Sequence, residues 1–312
     1  MAYSLNSINE RAARDPASFI AACDADYNRK LGKAADQIIA NLEKSPIVLL
    51  SGPSGSGKTT TALKIEEELN RRGIRTHAIS MDNYFKTYVP GMVPLTKDGQ
   101  PDFESPLCMD MDLLNEHFAM LSRGERIYVP KFEFTRQIRV VKPAKSLKLG
   151  KNEVAIFEGI HALNDDITTQ NPNAFKLYIS AYSNVVDENN QICFTGAWMR
   201  LARRTVRDHL FRGADAKETL TMWPNVCRGE RRYITPFIDK ADFKFDSSFP
   251  YEICVMKNLA PPLFQEIPET EAHHEELDGI LPAYEKFVSI DPDLLLPSSL
   301  LREFIGGGIY KY

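Results

Sequence analysis

The stretch Gly52-Pro53-Ser54-Gly55-Ser56-Gly57-Lys58-Thr59 constrains the fold of this chain more than any other. It fits every fixed position of G-x-x-x-x-G-K-[ST], the phosphate-binding loop (P-loop), which belongs between the end of a β-strand and the first turn of an α-helix. The flanks agree: residues 47–50 are a short apolar, β-branched run, and Ala62, Ile65 and Leu69 keep helical spacing as far as Gly73. Glycines let backbone N–H groups turn inward around phosphate oxygens, and the helix N-terminus adds its positive end. Lys58 then reaches the β- and γ-phosphates, Thr59 is suited to ligate Mg2+, and Thr60 follows in the same turn, so residues 52–60 form the expected ATP contact.

Further apolar runs at 77–80, 154–157, 177–179 and 253–256 alternate with helical stretches, as a parallel sheet with crossover helices requires. The expected class is α/β, a P-loop NTPase fold with a mainly parallel sheet flanked by helices. Composition limits the partners. With 38 Lys and Arg against 42 Asp and Glu, the formal charge of -4 offers no global attraction for nucleic acid or an anionic membrane. Cys23, Cys108, Cys193, Cys227 and Cys254 lie far apart with no C-x-x-C pair, which fits reduced thiols and a cytoplasmic setting. No run of about 18 apolar residues occurs, and a soluble protein is expected. Homo-oligomerisation is left open.

A P-loop alone does not separate kinases from GTPases, motors or transporters. The N-K-x-D guanine signature is absent, which favours ATP. Asp82, in Asp82-Asn83-Tyr84-Phe85, closes the second strand at the sheet edge where ligands of open α/β sheets collect. Such an acid can take the proton of an attacking hydroxyl or merely cap a turn. Residues 154–157 form an apolar strand ending in Glu158, the form of a site that holds Mg2+ directly or through water. Arg200, Arg203, Arg204 and Arg207 follow i, i+3, i+4, i+7 spacing on one helix face, with Met199, Ala202, Val206 and Leu210 on an apolar face. Between residues 200 and 232 nine Lys or Arg stand against four Asp or Glu, and repelling arginines on one face call for an anion. A phosphate clamp built on Arg204, Arg207 and Arg212 is expected; a solvated face paired by Asp208 and Glu218 is the alternative. His273 and His274, among glutamates, read as a solvated face.

These residues resemble the uridine kinase and phosphoribulokinase family of P-loop kinases. The likeness rests on the P-loop, on Asp82-Asn83-Tyr84-Phe85, on Pro101-Asp102-Phe103-Glu104-Ser105-Pro106, on Pro130-Lys131-Phe132-Glu133-Phe134 with Arg139, on Glu158-Gly159-Ile160 and on residues 200–213. Thr221-Met222-Trp223-Pro224 and Arg302-Glu303-Phe304-Ile305-Gly306-Gly307 are similar to a bacterial branch of uridine kinase-like nucleoside kinases. The resemblance implies Asp82 as general base toward a ribose 5'-hydroxyl, with Lys58, Arg207 and Arg212 assisting transfer. It further implies Mg2+ shared among Thr59, Asp82 and Glu158, and an acceptor bounded by Tyr84, Phe85, Phe103, Glu104, Phe132, Phe134, Gln137 and Arg139. Uridine kinases usually carry Asp at the position of Glu104, Tyr at Phe132, His at Gln137, Arg at Ala214 and Gln at Met222. The resemblance therefore supports phosphoryl transfer but not pyrimidine recognition, and the Glu104 carboxylate on its longer stem suits the diol of a ribose-like or polyol acceptor.

The expected organisation is a helical leader over 1–45, a P-loop kinase domain over 46–260 and a helical extension over 261–312. Within the kinase domain, 86–148 is a substrate-side insertion and 198–232 an arginine-rich lid. Three functions fit: a kinase of a nucleoside hydroxyl, a kinase of another polyhydroxylated acceptor (sugar, sugar phosphate or pantothenate-like), or an ATP-binding regulatory module.

Overall fold

A computed structural model describes residues 2–89, 91–97, 99–133 and 136–311. In chain order, the first elements are β1 (Ala2–Ser4), α1 (Leu5–Arg14), α2 (Pro16–Asn41), β2 (Ile47–Ser51), α3 (Lys58–Arg71) and β3 (Arg75–Ser80). They are followed by α4 (Met111–Ser122), β4 (Ile127–Glu133), β5 (Ile138–Leu147), β6 (Glu153–Glu158), α5 (Asp165–Thr168) and β7 (Phe175–Ser180). The remaining elements are β8 (Asn184–Val186), β9 (Ile192–Phe194), α6 (Gly196–Phe211), α7 (Ala216–Tyr233), β10 (Phe243–Asp246), α8 (Glu252–Met256), α9 (Ala260–Gln265), α10 (Glu275–Glu285) and α11 (Arg302–Ile305).

The α/β expectation is borne out. β10, β7, β2, β6 and β3 lie in that order in one sheet, every neighbouring pair parallel. All five side chains of β2 are buried, which is what a central strand with both faces covered requires. One expected strand is not there. Residues 253–256 form part of α8, and the fifth strand is β10 instead. The run Ile-Cys-Val-Met is buried on every side, and a short continuous apolar run has no period that separates strand from helix.

Helix α2 begins with Pro16 at its first turn and with Asp15 accepting from the Ser18 N–H at 3.0 Å. Its buried residues Phe19, Ile20, Cys23, Tyr27, Leu31, Ala34, Ala35 and Ile38 recur at three- and four-residue steps. They share one core with sheet residues Val48, Leu50 and Ile156 and with Leu300, Leu301 and Phe304 near the other end of the chain. The second core lies on the opposite sheet face, where Leu49, Ile79, Ala155 and Phe157 meet Leu114, Phe118 and Leu121 of α4. Between β3 and β6, the segment also carries the antiparallel β4–β5 hairpin. Among the described residues no helix is long and apolar enough to cross a membrane.

Candidate active site

The sheet register brings three chemical groups to one edge. β2 pairs with β6 so that Leu50 lies opposite Glu158, and β6 pairs with β3 so that Glu158 lies opposite Ser80. The P-loop leaves β2 one residue after Leu50's neighbour Ser51, Glu158 ends β6, and Asp82 follows β3 by two residues. All three strands run the same way, so the three groups meet at the carboxyl edge of the sheet.

The loop is shaped by close approach and by left-handed backbone. A Cβ on Gly52 would stand 2.0 Å from the Ile179 carbonyl oxygen, and Gly55 and Gly57 have φ of 75 and 81°. Lys58 Nζ donates to the Pro53 carbonyl at 3.1 Å, folding back over the loop. Burial lowers its pKa, while Glu158 and Asp82 oppose that shift. Thr59 Oγ1 donates to Glu158 Oε1 at 3.4 Å. The Thr60 N–H and hydroxyl both donate to Glu303 Oε2, at 3.1 and 2.5 Å.

Asp82 sits in a 3-10 turn, Met81–Tyr84, opened by Ser80 accepting from the Asp82 N–H at 3.3 Å. Burial raises the Asp82 pKa, and Lys58, Arg212 and Arg207 partly counter it. Glu158 is pushed up to about 7 by burial and then by Asp82, with Lys58 opposing. Two carboxylates crowded together and incompletely neutralised fit a divalent cation, and Thr59 adds a hydroxyl oxygen, the hard donor set of magnesium.

A cavity of about 420 Å³ opens on the acceptor side, walled by Phe85, Val89, Phe103, Phe132, Gln137 and Met222 among others. The Phe85 and Phe132 rings stand 5.7 Å apart. Glu104 lies against α7, where a Cβ on Gly229 would come within 2.5 Å of the Glu104 Cβ; only glycine allows this approach. Burial pushes Glu104 up to about 7 against the pull of Arg204 and Lys58.

Two expected acceptor residues stand elsewhere. Tyr84 is fully buried with its hydroxyl 2.8 Å from His117 Nδ1, because the 3-10 turn rotates it into the core. Arg139 is committed to the protein: it donates to Asp110 Oδ2 and to the Tyr84 carbonyl, both at 2.8 Å, and so fixes the turn carrying Asp82. Phe134 lies outside the described residues.

The arginine series divides by depth. Arg200 donates to the Ser54 carbonyl at 3.3 Å and to Glu230 at 2.7 Å; Arg203 donates to the Gly55 carbonyl at 3.1 Å and pairs with Glu252. Both brace the P-loop from behind. Arg204 donates to Ser54 Oγ at 2.9 Å, and its Nε stands 3.3 Å from Asp208. Asp208 also meets Arg207 at 2.7 Å and Arg212 at 3.6 Å. One carboxylate thus gathers three guanidinium groups, leaving positive charge for an anion.

Sequence reading gave Asp208 only as a partner in a solvated face, and gave no role to Glu252 or His161. His161 is fully buried with both ring nitrogens unpartnered, and burial pushes it down to about 4, so it is neutral. Asp102 receives Arg228 at 2.7 and 3.2 Å and the Tyr233 hydroxyl at 2.9 Å, tying the Glu104 segment to α7.

The model of the Phosphoribulokinase / Uridine kinase family matches residues 47–250. The chain is similar to the uridine kinase of Saccharomyces cerevisiae, 27% identical over 241 residues, covering 77% of this chain and 44% of the yeast protein. The uridine kinase of Mycoplasma genitalium is 30% identical over 184 residues, 59% of this chain and 76% of that protein. That of Anoxybacillus flavithermus is 29% identical over 203 residues, 64% of this chain and 86% of that protein. The chain therefore spans under half the length of the yeast relative and three quarters or more of these bacterial ones. Among solved structures it is similar to a possible uridine kinase from Bacillus stearothermophilus, with TM-score 0.45, 16% identity and coverage of 71% of this chain and 100% of that one.

Proposed function

The chain belongs to the Phosphoribulokinase / Uridine kinase family, and on that premise we propose that it transfers the γ-phosphoryl group of ATP to the 5'-hydroxyl of a nucleoside. It is a phosphotransferase acting on a hydroxyl acceptor. The observation that carries the finer reading is the shared sheet edge, where the P-loop, Glu158 and Asp82 converge beside an apolar cavity with two phenylalanine rings 5.7 Å apart. Such rings suit the face of a flat base better than an open-chain polyol.

In this reading the P-loop N–H groups and Lys58 hold the donor phosphates, and Arg204, Arg207 and Arg212 meet the charge that spreads over the transferring group. Thr59, Asp82 and Glu158 would hold Mg2+, which when bound neutralises phosphate charge. Asp82 takes the proton of the acceptor hydroxyl, and Glu104 accepts hydrogen bonds from the acceptor's diol. Phe85, Phe103 and Phe132 exclude water around the acceptor.

The test is a panel of nucleosides, sugars, sugar phosphates and pantothenate-like alcohols offered with ATP and magnesium, the phosphorylated product being detected by mass spectrometry. Phosphorylation of nucleosides alone is expected. Turnover only of an acceptor without a base would replace the nucleoside by another polyhydroxylated alcohol. ATP binding with no acceptor turned over would favour the regulatory module.

A further inference from the structure

The last forty residues do not simply pack on the outside of the sheet: one turn of them rests against Gly57 of the P-loop and against Thr60 in the first turn of α3. Glu303 Oε2 accepts from the Thr60 backbone N–H at 3.1 Å and from the Thr60 hydroxyl at 2.5 Å. Two residues earlier than Leu301's neighbour Arg302, Leu300 presses its methyls on the loop: a Cβ on Gly57 would stand 2.7 Å from Leu300 Cδ1. Phe304 is fully buried with the Arg203 guanidinium 5.1 Å from its ring centroid. Leu296, Ser298, Ser299 and Leu300 also close a gap of only about 30 Å³ against Tyr27 and Phe249.

The first-turn N–H groups of a helix have no partner within the helix, and at the end of a P-loop they are donors for phosphate oxygens. Thr60 is the third residue of α3, so its N–H is one of these donors. A carboxylate delivered from 243 residues away now satisfies it, together with the hydroxyl beside it. Glu303 also contributes to keeping Lys58 charged, after Glu158 and Asp82. Carboxylate and phosphate oxygens compete for the same donors and repel each other if both remain. The segment is bounded by Pro297 on one side and by Gly306 and Gly307, with φ of 83 and 71°, on the other.

We propose that residues 298–305 are a strap whose Glu303 carboxylate occupies the place of a phosphate oxygen at Thr60, so that nucleotide enters only by displacing it. The proposal rests on the reading of the P-loop as the nucleotide site. Strap and nucleotide are then alternative occupants of one set of donors. The apparent dissociation constant for nucleotide equals the intrinsic one divided by the fraction of molecules with the strap open.

The test measures binding of a non-hydrolysable ATP analogue with magnesium by calorimetry, without acceptor, to the whole chain and to Glu303→Gln, Leu300→Ala and Lys58→Ala. Hydrogen exchange of the 299–306 amides is followed in the unsubstituted protein with and without the analogue. Weakening the strap by charge or by packing is expected to tighten the analogue by about 3- to 10-fold, since the open fraction rises. Leu300→Ala separates displacement from simple relief of charge repulsion, because it changes no charge. Exchange at 299–306 is expected to rise when the analogue binds. Unchanged or weaker binding in both variants overturns the strap, as does exchange that stays the same or slows. If the unsubstituted protein does not bind the analogue, or Lys58→Ala binds it equally well, the nucleotide reading fails and the strap fails with it.

Discussion

Arg203 and Glu252 form an ion pair with no exposed surface, Nη2 to Oε2 at 2.7 Å, while Arg203 Nη1 holds the Gly55 carbonyl at 3.1 Å. The same guanidinium reaches the Ser247 carbonyl at 2.8 Å, so α6, the P-loop and the turn after β10 meet on one side chain. Removing one partner leaves a buried charge uncompensated. Arg203→Ala and Glu252→Ala are each expected to destabilise by about 3–5 kcal/mol, read from urea unfolding. The double variant should cost less than the sum of the singles. Additive losses would show that the pair does not act as a unit.

Lys58→Ala is expected to abolish phosphoryl transfer while the fold survives, because the lysine spends its hydrogen bond on the loop's own Pro53 carbonyl at 3.1 Å and supports no distant element. Turnover is measured at saturating ATP and magnesium, with circular dichroism as the fold control. Near-normal kcat in a folded variant would refute the loop's role.

Arg207 and Arg212 should separate catalysis from stability. Arg212 is exposed and its nitrogen stands 3.6 Å from Asp208, so its removal should cost under about 1 kcal/mol of stability. If both arginines contact the transferring phosphate, Arg207→Ala and Arg212→Ala should lower kcat by about 10²- to 10³-fold. Full activity in both would return the cluster to a purely structural role around Asp208.

The pH dependence of acceptor binding should report Glu104. Its pKa is raised from 4.5 to about 7, chiefly by burial, with Arg204 and Lys58 opposing and Asp102 and Asp82 adding to the rise. A raised carboxyl is protonated in the fold before it would be in the open chain. The resulting stability is fully present below 4.5 and is lost as pH rises through about 7. The ionised form accepts from a diol on both oxygens and with charge assistance, which protonation removes, so KM for the acceptor should rise as pH falls below about 7. Glu104→Gln should flatten that limb of the KM profile while leaving ATP binding unchanged. An unaltered limb would assign the titration to another group.

What could be read from the sequence was whatever depends on neighbours along the chain. The P-loop, the acid ending β6 and the acid after β3 are strand-end features, and parallel register then brings them together. Contacts between distant segments were not legible. Helical spacing placed Arg200, Arg203, Arg204 and Arg207 on one face with Asp208 of the same helix, but the carboxylates that take Arg200 and Arg203, Glu230 of α7 and Glu252 of α8, arrive from other elements. Tyr84 shows the same limit at short range: two residues from Asp82, it is turned by a 3-10 turn from the cleft to His117.

Asp82→Asn tests the general base. The substitution keeps size and shape but removes the charge that accepts the proton. Asp82 is placed for the task by the Ser80 cap at 3.3 Å and by Arg139, whose bond to the Tyr84 carbonyl at 2.8 Å fixes the same turn. Burial raises its pKa, and Lys58 is the first of the charges that oppose the rise. A carboxylate with a raised pKa takes a proton more readily than a solvated aspartate does. With Asn, kcat should fall by about 10²- to 10⁴-fold while the dissociation constants of ATP and magnesium change little. Activity loss alone does not isolate the role, because Asp82 also stands with Thr59 and Glu158 in the expected magnesium set. Nucleotide and metal binding are therefore titrated beside turnover. If Asp82→Asn binds magnesium and ATP poorly yet turns over normally at saturation, Asp82 is a metal-holding residue, and Glu104, the other carboxylate of the acceptor side with a raised pKa, becomes the group to test as base.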